Sequence, residues 1–412
     1  MSKSANTAIL VAALGYFVDI YDLLLFGFVR KASLQDLKYS DQEVFDYGLL
    51  LQNWQMAGML FGGILWGVLG DRKGRVKVLY FSIALYSLAN LLNGLAQGYA
   101  DYAFYRFIAG VGLAGELGAG ITLVAELMPR RRRGFGVTIV AAVGLTGALL
   151  AWVISKNFSW QTCYFIGGAL GLMLLILRIK VQESGIFEQT KARSDVQKGN
   201  FFALFTKRER FFRFLRCIFI GTPTWFVVGV LIMFSDQFGK AKGLEGISPG
   251  NAIAACYTGL ILGDVGSGLI SQWLQSRKKV MLIFLSLDVL AVVWYLGGQF
   301  NTPAMFYVSH FLLGISAGFW VIFVTIAAEQ FGVNLRATVA TSVPNFARGM
   351  QVPINASFKY LKDNSVAVAG LSIGGNVLAA AWLIGAICLV IPFIALWGMK
   401  DTFHTDLDYV EE

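Results

Sequence analysis

The chain has 412 residues, 56% of them apolar and only 14% charged, with a mean hydropathy of +0.63. Soluble domains carry roughly 25% charged residues, so a surface that mostly faces water is excluded. The formal charge of +9 and the pI near 9.3 would suit nucleic acid, but the basic residues are gathered in loops on one side of a membrane, which excludes that partner as well.

A bilayer core of roughly 30 Å needs about 20 apolar residues in a helix. Runs of that size occur at 7–29, 47–69, 78–96, 104–128, 134–154 and 160–179, and again at 214–235, 252–274, 279–298, 303–328, 337–358 and 371–398. The first run holds two aspartates and no small-residue cleavage site, and is read as a retained helix, not a signal peptide. Cys163, Cys217, Cys256 and Cys388 stand singly in different runs without a CxxC pair, which implies neither disulfides nor a zinc site. The expected fold is an all-α polytopic membrane protein of twelve transmembrane helices.

Lysine and arginine in the loops set the orientation. With both termini cytoplasmic, the inner segments hold twenty-four of the 34 basic residues and the outer segments eight: Arg30, Lys31, Lys38, Lys156, Lys240, Lys242, Lys359 and Lys362. The remaining two, Arg106 and Arg348, fall well inside apolar runs. This bias predicts an N-in, C-in topology and accounts for the basic pI.

The hydrophilic stretch near the middle divides the chain into a six-helix bundle over 1–182, a cytoplasmic linker over 183–212, a second bundle over 213–398 and a cytoplasmic tail over 399–412. Within the linker, Phe201-Phe202-Ala203-Leu204-Phe205 followed by Lys207, Arg208 and Arg210 reads as an amphipathic helix on the inner leaflet or as a solvated connection. The acidic tail is expected to be solvated. The halves are repeats: Glu126 is followed seven residues later by Arg133, and Glu329 likewise by Arg336, while Ala114-Gly115 falls on Ala317-Gly318 at the same offset. Parallel repeats place a substrate site between the halves near mid-membrane.

The sharpest motif is GVLGDRKGRVK, Gly67 to Lys77. Gly67 allows close approach of another helix, Gly74 permits a tight turn, and Asp71 can pair with Arg75 or a neighbour such as Arg72. This loop resembles the signature loop of the major facilitator superfamily. YRFIAGVGLAGELGAGITLVAELMPRRRRG from Tyr105, AEQFGVNLRAT from Ala328 and VQESGIFEQ from Val181 resemble stretches of its sugar-porter and metabolite:proton symporter branches. Asp19-Ile20-Tyr21-Asp22 resembles the D-G-[FY]-D of aromatic-acid symporters, with Ile20 in place of glycine. The resemblance covers essentially the whole chain. It implies two pseudo-symmetric six-helix bundles that alternate access, with Asp71 and Arg75 latching the inner face. The second-half loop has Ser276 where the first has Asp71, so a latch there lacks its acid. Antiporters of the superfamily carry a proline motif in span five, where this chain reads VGLTGALLAW from Val143; the difference favours uptake by symport.

Charges inside a membrane are costly and call for a reason. Asp19 and Asp22 share one face of span one, and Asp22 lies ~22 Å above Thr7. Arg106 near the outer end of span four stands at similar depth, so an ion pair is expected. Sugar porters couple protons through an aspartate on span one and an arginine on span four, and Asp22 and Arg106 match that pattern by position. An arginine that moves relative to an aspartate during rocking loads or releases a proton, and Asp19 or Glu116 would assist; a static pair that fixes helix packing is the plainer reading. Glu116 serves coupling or a structural hydrogen bond equally well. Asp264 is placed to bind substrate or a second cation. His310 either titrates or packs. Arg348 would draw an anionic group into the cavity or pair with Asp264, and Trp225, Trp320 and Asn345 are candidate walls. Asp288 has no assigned role.

The expected function is proton-coupled uptake of a small polar metabolite, an organic acid or zwitterion, by a monomer in a bacterial inner membrane. The alternatives are an exporter of a drug, siderophore or metabolite, and a transporter-like receptor without flux. No HExxH or Walker loop occurs, which argues against a zinc-dependent hydrolase or an ATP-driven pump. No cofactor or metal is implied beyond the coupling ion, and carboxylates serve a proton or sodium alike.

Overall fold

Long runs that are apolar on every face satisfy their backbone groups as helices and their side chains against lipid or one another. The computed structural model of the chain describes residues 3–127, 133–178, 201–368 and 371–403. The first half contains α1 (Lys3–Asp36), α2 (Asp41–Lys73), α3 (Arg75–Asn93), α4 (Tyr99–Leu113), α5 (Glu116–Leu127), α6 (Arg133–Leu145), α7 (Gly147–Asn157) and α8 (Trp160–Leu177). The second contains α9 (Ala203–Thr206), α10 (Arg208–Ile220), α11 (Thr222–Phe226) running into a π-helical turn at Val227–Ile232, α12 (Ser235–Ala241), α13 (Pro249–Leu274), α14 (Arg277–Gly297), α15 (Pro303–Ala317), α16 (Trp320–Glu329), α17 (Val333–Gly349), α18 (Gln351–Asp363) and α19 (Val377–Trp397).

Helix ends follow local chemistry. Ser40 caps α2 in a reciprocal capping box with Glu43, and Ser159, Ser276, Thr302 and Asn376 cap α8, α14, α15 and α19 through their side chains. Gly74, at φ 102°, breaks α2 from α3 in a region that L side chains rarely adopt. Among the described residues eight spans are long and apolar enough to cross a membrane, and α10 with Thr222–Ile232 makes a ninth bent by 41°. The remaining runs, at 47–69, 104–128 and 337–358, form α2, α4 with α5, and α17 with α18, broken at Ala114–Gly115 and at Met350.

The repeat is visible in how helices cross. A Cβ on Gly58 or Gly62 of α2 would press on the Phe107 or Val111 carbonyl of α4, and one on Gly110 would meet the Gln55 carbonyl. In the second half, Gly259 and Gly263 of α13 stand likewise against Phe311 and Ile315 of α15, and Gly314 against Cys256. Both fourth-position spans are interrupted at matched places, between Leu113 and Glu116 and between Ala317 and Trp320, where the Ala-Gly pairs coincide in sequence.

Three expectations are corrected. The run at 371–398 does not start as helix: Ser365–Val368 and Leu371–Gly374 form an antiparallel pair, and α19 begins at Val377 after the Asn376 cap. The fold is therefore nearly all-helical. The region at 201–205 is no continuous amphipathic helix: Phe201 and Leu204 are buried while Phe202 and Phe205 face outward, and a helix of four residues precedes α10. The start of the tail is docked, not solvated: Asp401 accepts from Ser276 Oγ and from the Arg277 amide at 3.1 Å, and Thr402 donates to Glu329 at 2.7 Å. Linker residues up to 200 lie outside the described residues.

Candidate functional site

Helix α1 has two functional faces. Tyr16, Ile20 and Leu23, spaced as one helical stripe, line a central cavity of about 320 Å³ with Leu145, Thr224, Trp225, Val228, Tyr257, Leu260, Trp320 and Arg348. A second lobe of about 260 Å³ shares Leu23, Trp225 and Val228 with the first and adds Gln52, Gln55, Met56 and Arg106 among its walls. The two lobes adjoin at Leu23, Trp225 and Val228, and all of these residues are buried.

Asp19 and Asp22 sit beside this stripe on α1, fully buried, and among the described residues none of their four carboxylate oxygens meets a hydrogen-bond partner. Asp22 nests against Gly167 of α8, where a Cβ would strike its Oδ1. The expected Asp22–Arg106 ion pair is not formed among the described residues. Depth matches, but rotation about the axis of α1 turns Asp22 toward α8, and Arg106 instead donates to Gln55 Oε1 and lies 4.4 Å from the Phe26 ring centre. The charges still act through space, Arg106 on Asp22 and Arg348 on Asp19.

Arg348 donates to Asn345 Oδ1 at 3.3 Å and stands 5.7 Å from the centres of both Trp225 and Trp320, whose rings meet edge to face. Trp225 and Trp320 both line the first lobe. Asn345 belongs to the seam between halves, donating to the Ala114 carbonyl across it at 2.9 Å. Asp264 does not pair with Arg348: its Oδ1 accepts the Val321 amide at 3.2 Å and so caps the interrupted span at α16. His310 lies outside both lobes, bonded through Nδ1 to the Phe306 carbonyl at 2.6 Å and packed on Tyr295 and Phe306. Asp288 accepts from Ser316 at 2.8 Å.

Glu116 has a partner that sequence reasoning did not find. Arg178 donates to Oε1 at 3.1 Å and Oε2 at 2.8 Å and also reaches the Leu79 carbonyl, while Ser82 donates to Oε1. Gly15, one turn before Asp19, leaves the notch this pair fills. Gln55, Tyr16, Thr224 and Tyr257 were likewise not singled out; they are neutral and carry no charge signal inside an apolar run.

Both ends of the seam are in contact. At the end carrying the GVLGDRKGRVK loop, Gly67 packs on the backbone of Thr338, Gly118 on Thr341 and Gly63 on Asn345. At the opposite end, Arg30 approaches Asp236 at 3.6 Å, Lys359 pairs with Asp46, and Asn355 donates to Asn53 at 2.9 Å. Within the loop, Arg72 is exposed and the buried Arg75 reaches the Gly70 carbonyl at 3.5 Å; the side chains of Asp71, Glu126 and Arg133 lie outside the described residues. In the second half Glu329 pairs with Arg277 at 3.5 Å, and Arg336 donates to the Phe331 carbonyl.

The family model described as Major Facilitator Superfamily matches residues 12–350. A Haemophilus influenzae protein named as a metabolite transport protein is 29% identical over 360 residues, 83% of this chain and 86% of its own. The cis,cis-muconate transport protein of Acinetobacter baylyi is 25% identical over 407 residues, 95% of this chain and 94% of its own. Among solved structures, the proton:xylose symporter XylE superposes with a TM-score of 0.78 at 14% identity, over 99% of this chain and 98% of that one.

Proposed function

Because the chain belongs to the major facilitator superfamily, a family of transporters and not enzymes, we propose that it is a twelve-span, N-in, proton-coupled symporter that takes up a small organic anion. The observation that carries this reading is the division of α1: one face lines the central cavity, and the adjacent face holds two buried carboxylates without hydrogen-bond partners among the described residues. An anion bound to Arg106 or Arg348 neutralises the guanidinium that acts on the aspartate behind the wall. A protonated aspartate in turn no longer competes for that guanidinium. Anion and proton therefore favour each other's binding, a reciprocal coupling. Asp22 with Arg106 and Asp19 with Arg348 are the coupling pairs. Glu116, held by Arg178, stands below them as a structural pair. Access alternates by opening one end of the seam at a time, and both ends are closed in the conformation described here.

Organic acids lead as substrates because the lobes offer guanidiniums beside tryptophan faces, and cis,cis-muconate, named for the Acinetobacter relative, is the first candidate. The test is uptake of labelled cis,cis-muconate or benzoate into proteoliposomes under an inward proton gradient. Wild-type protein is expected to accumulate substrate, whereas Asp22→Asn exchanges it across the membrane without accumulation. Full accumulation by Asp22→Asn ends the assignment of Asp22. Accumulation driven by a sodium gradient at constant pH ends the assignment of the proton.

A further inference from the structure

The two lobes hold one buried arginine each, Arg348 in the first and Arg106 in the second, and share the walls Leu23, Trp225 and Val228. Arg106 and Arg348 are both 1% exposed, and no acidic side chain lines either lobe. Among the described residues each lobe also keeps donors without partners: Nε and Nη1 of Arg106 with Nε2 of Gln55 in one, and Nε of Arg348 with Oγ1 of Thr224 and Nε1 of Trp225 in the other. Buried donors are ordinarily satisfied, and a guanidinium presents its N–H groups in a fork that fits a carboxylate. The shared walls are largely apolar.

We propose that the two lobes together are built for a dianion, a substrate with a carboxylate at each end of an apolar or planar spine, one end on Arg106 and the other on Arg348, with the spine across Trp225. This rests on the organic-anion reading of the lobes. A monoanion satisfies one arginine and leaves the other guanidinium buried without a counter-ion in the lining, and burying a charge unpaired is costly. A dianion satisfies both. The aspartates behind the wall are then free to carry protons, one beside each arginine.

The test is titration calorimetry on the purified full-length protein with two matched pairs of probes, adipate against hexanoate and terephthalate against benzoate. At least one diacid is expected to bind tenfold or more tightly than its monoacid, about 1.4 kcal/mol. Arg106→Gln and Arg348→Gln are each expected to bring that ratio near unity. Arg106→Lys and Arg348→Lys, checked by melting temperature, keep a charge in each lobe and separate lost recognition from lost folding. Equal affinities within both pairs, or a ratio unmoved by Arg106→Gln in a folded protein, overturn the two-arginine site and leave the organic-anion reading standing. Failure of all four acids, with binding of glucose or glycine betaine, overturns both.

Discussion

Removing Arg178 tests whether Glu116 belongs to the scaffold or to the proton path. Glu116 is 3% exposed and accepts from Arg178 twice and from Ser82 once. Arg178→Met leaves a buried carboxylate with one hydroxyl donor and also removes one of the donors to the Leu79 carbonyl. Breaking one side of a buried ion pair costs about 3–5 kcal/mol because the surviving charge is uncompensated. At roughly 2–4 °C per kcal/mol for a unit of 150–250 residues, the melting transition of the first half falls by roughly 6–20 °C. Glu116→Gln in the Arg178→Met background removes the orphaned charge and is expected to recover most of that loss. The assay is intrinsic-fluorescence melting in detergent at one scan rate, since such transitions are commonly irreversible. Additive effects of the two substitutions refute the pair. A Glu116→Gln variant that melts like wild type yet loses proton-driven accumulation returns Glu116 to the coupling machinery.

Gly118→Leu drives a side chain into Thr341 across the seam; overpacking of about 1–3 kcal/mol raises the population open at the motif end by roughly 5–150-fold, read as faster maleimide labelling of Thr338→Cys. Burial pushes the Asp401 carboxyl up, but donation from Ser276 and from the amides of Phe403, Arg277 and Lys278 holds it below the ordinary range. A depressed carboxyl contributes stability that is complete above its unfolded value of about 3.9 and is lost as pH falls through the folded value. Asp401→Asn is therefore expected to lower the melting temperature at pH 7 and to flatten the decline toward pH 3. Asp288→Asn keeps the contact with Ser316 and is expected to transport at the wild-type rate, and lost uptake would place Asp288 in the coupling path.

Much of this architecture is legible in sequence for identifiable reasons. The loop from Gly67 and the matched Glu126/Arg133 and Glu329/Arg336 spacings mark the family and its duplication, and the Ala-Gly pairs fall where the fourth span of each half breaks. Arginines inside apolar runs have to face protein, so Arg106 and Arg348 are found in the two lobes. What the linear chain hides is rotation. Asp22 and Arg106 share a depth, yet one turns toward Gly167 and the other toward Gln55 and Phe26. Arg178 was hidden by position: at the end of a run it counts as a loop charge, and only the demand of Glu116 for a cation could have exposed it. Asp401 was hidden in the same way, since its signal is the acid that the Ser276 loop lacks.

The two ends of the seam are made of unlike materials. One is closed by glycines packed on Thr338, Thr341 and Asn345, and the other by Arg30–Asp236 and Lys359–Asp46 across the halves. Of these pairs Lys359–Asp46 is open to water and weakens with added salt, whereas the buried Arg30–Asp236 pair and the packing of helix on helix are screened little. Ionic strength thus acts on one gate and side-chain volume on the other. The dependence of turnover on salt concentration then reports which of the two openings limits the transport cycle.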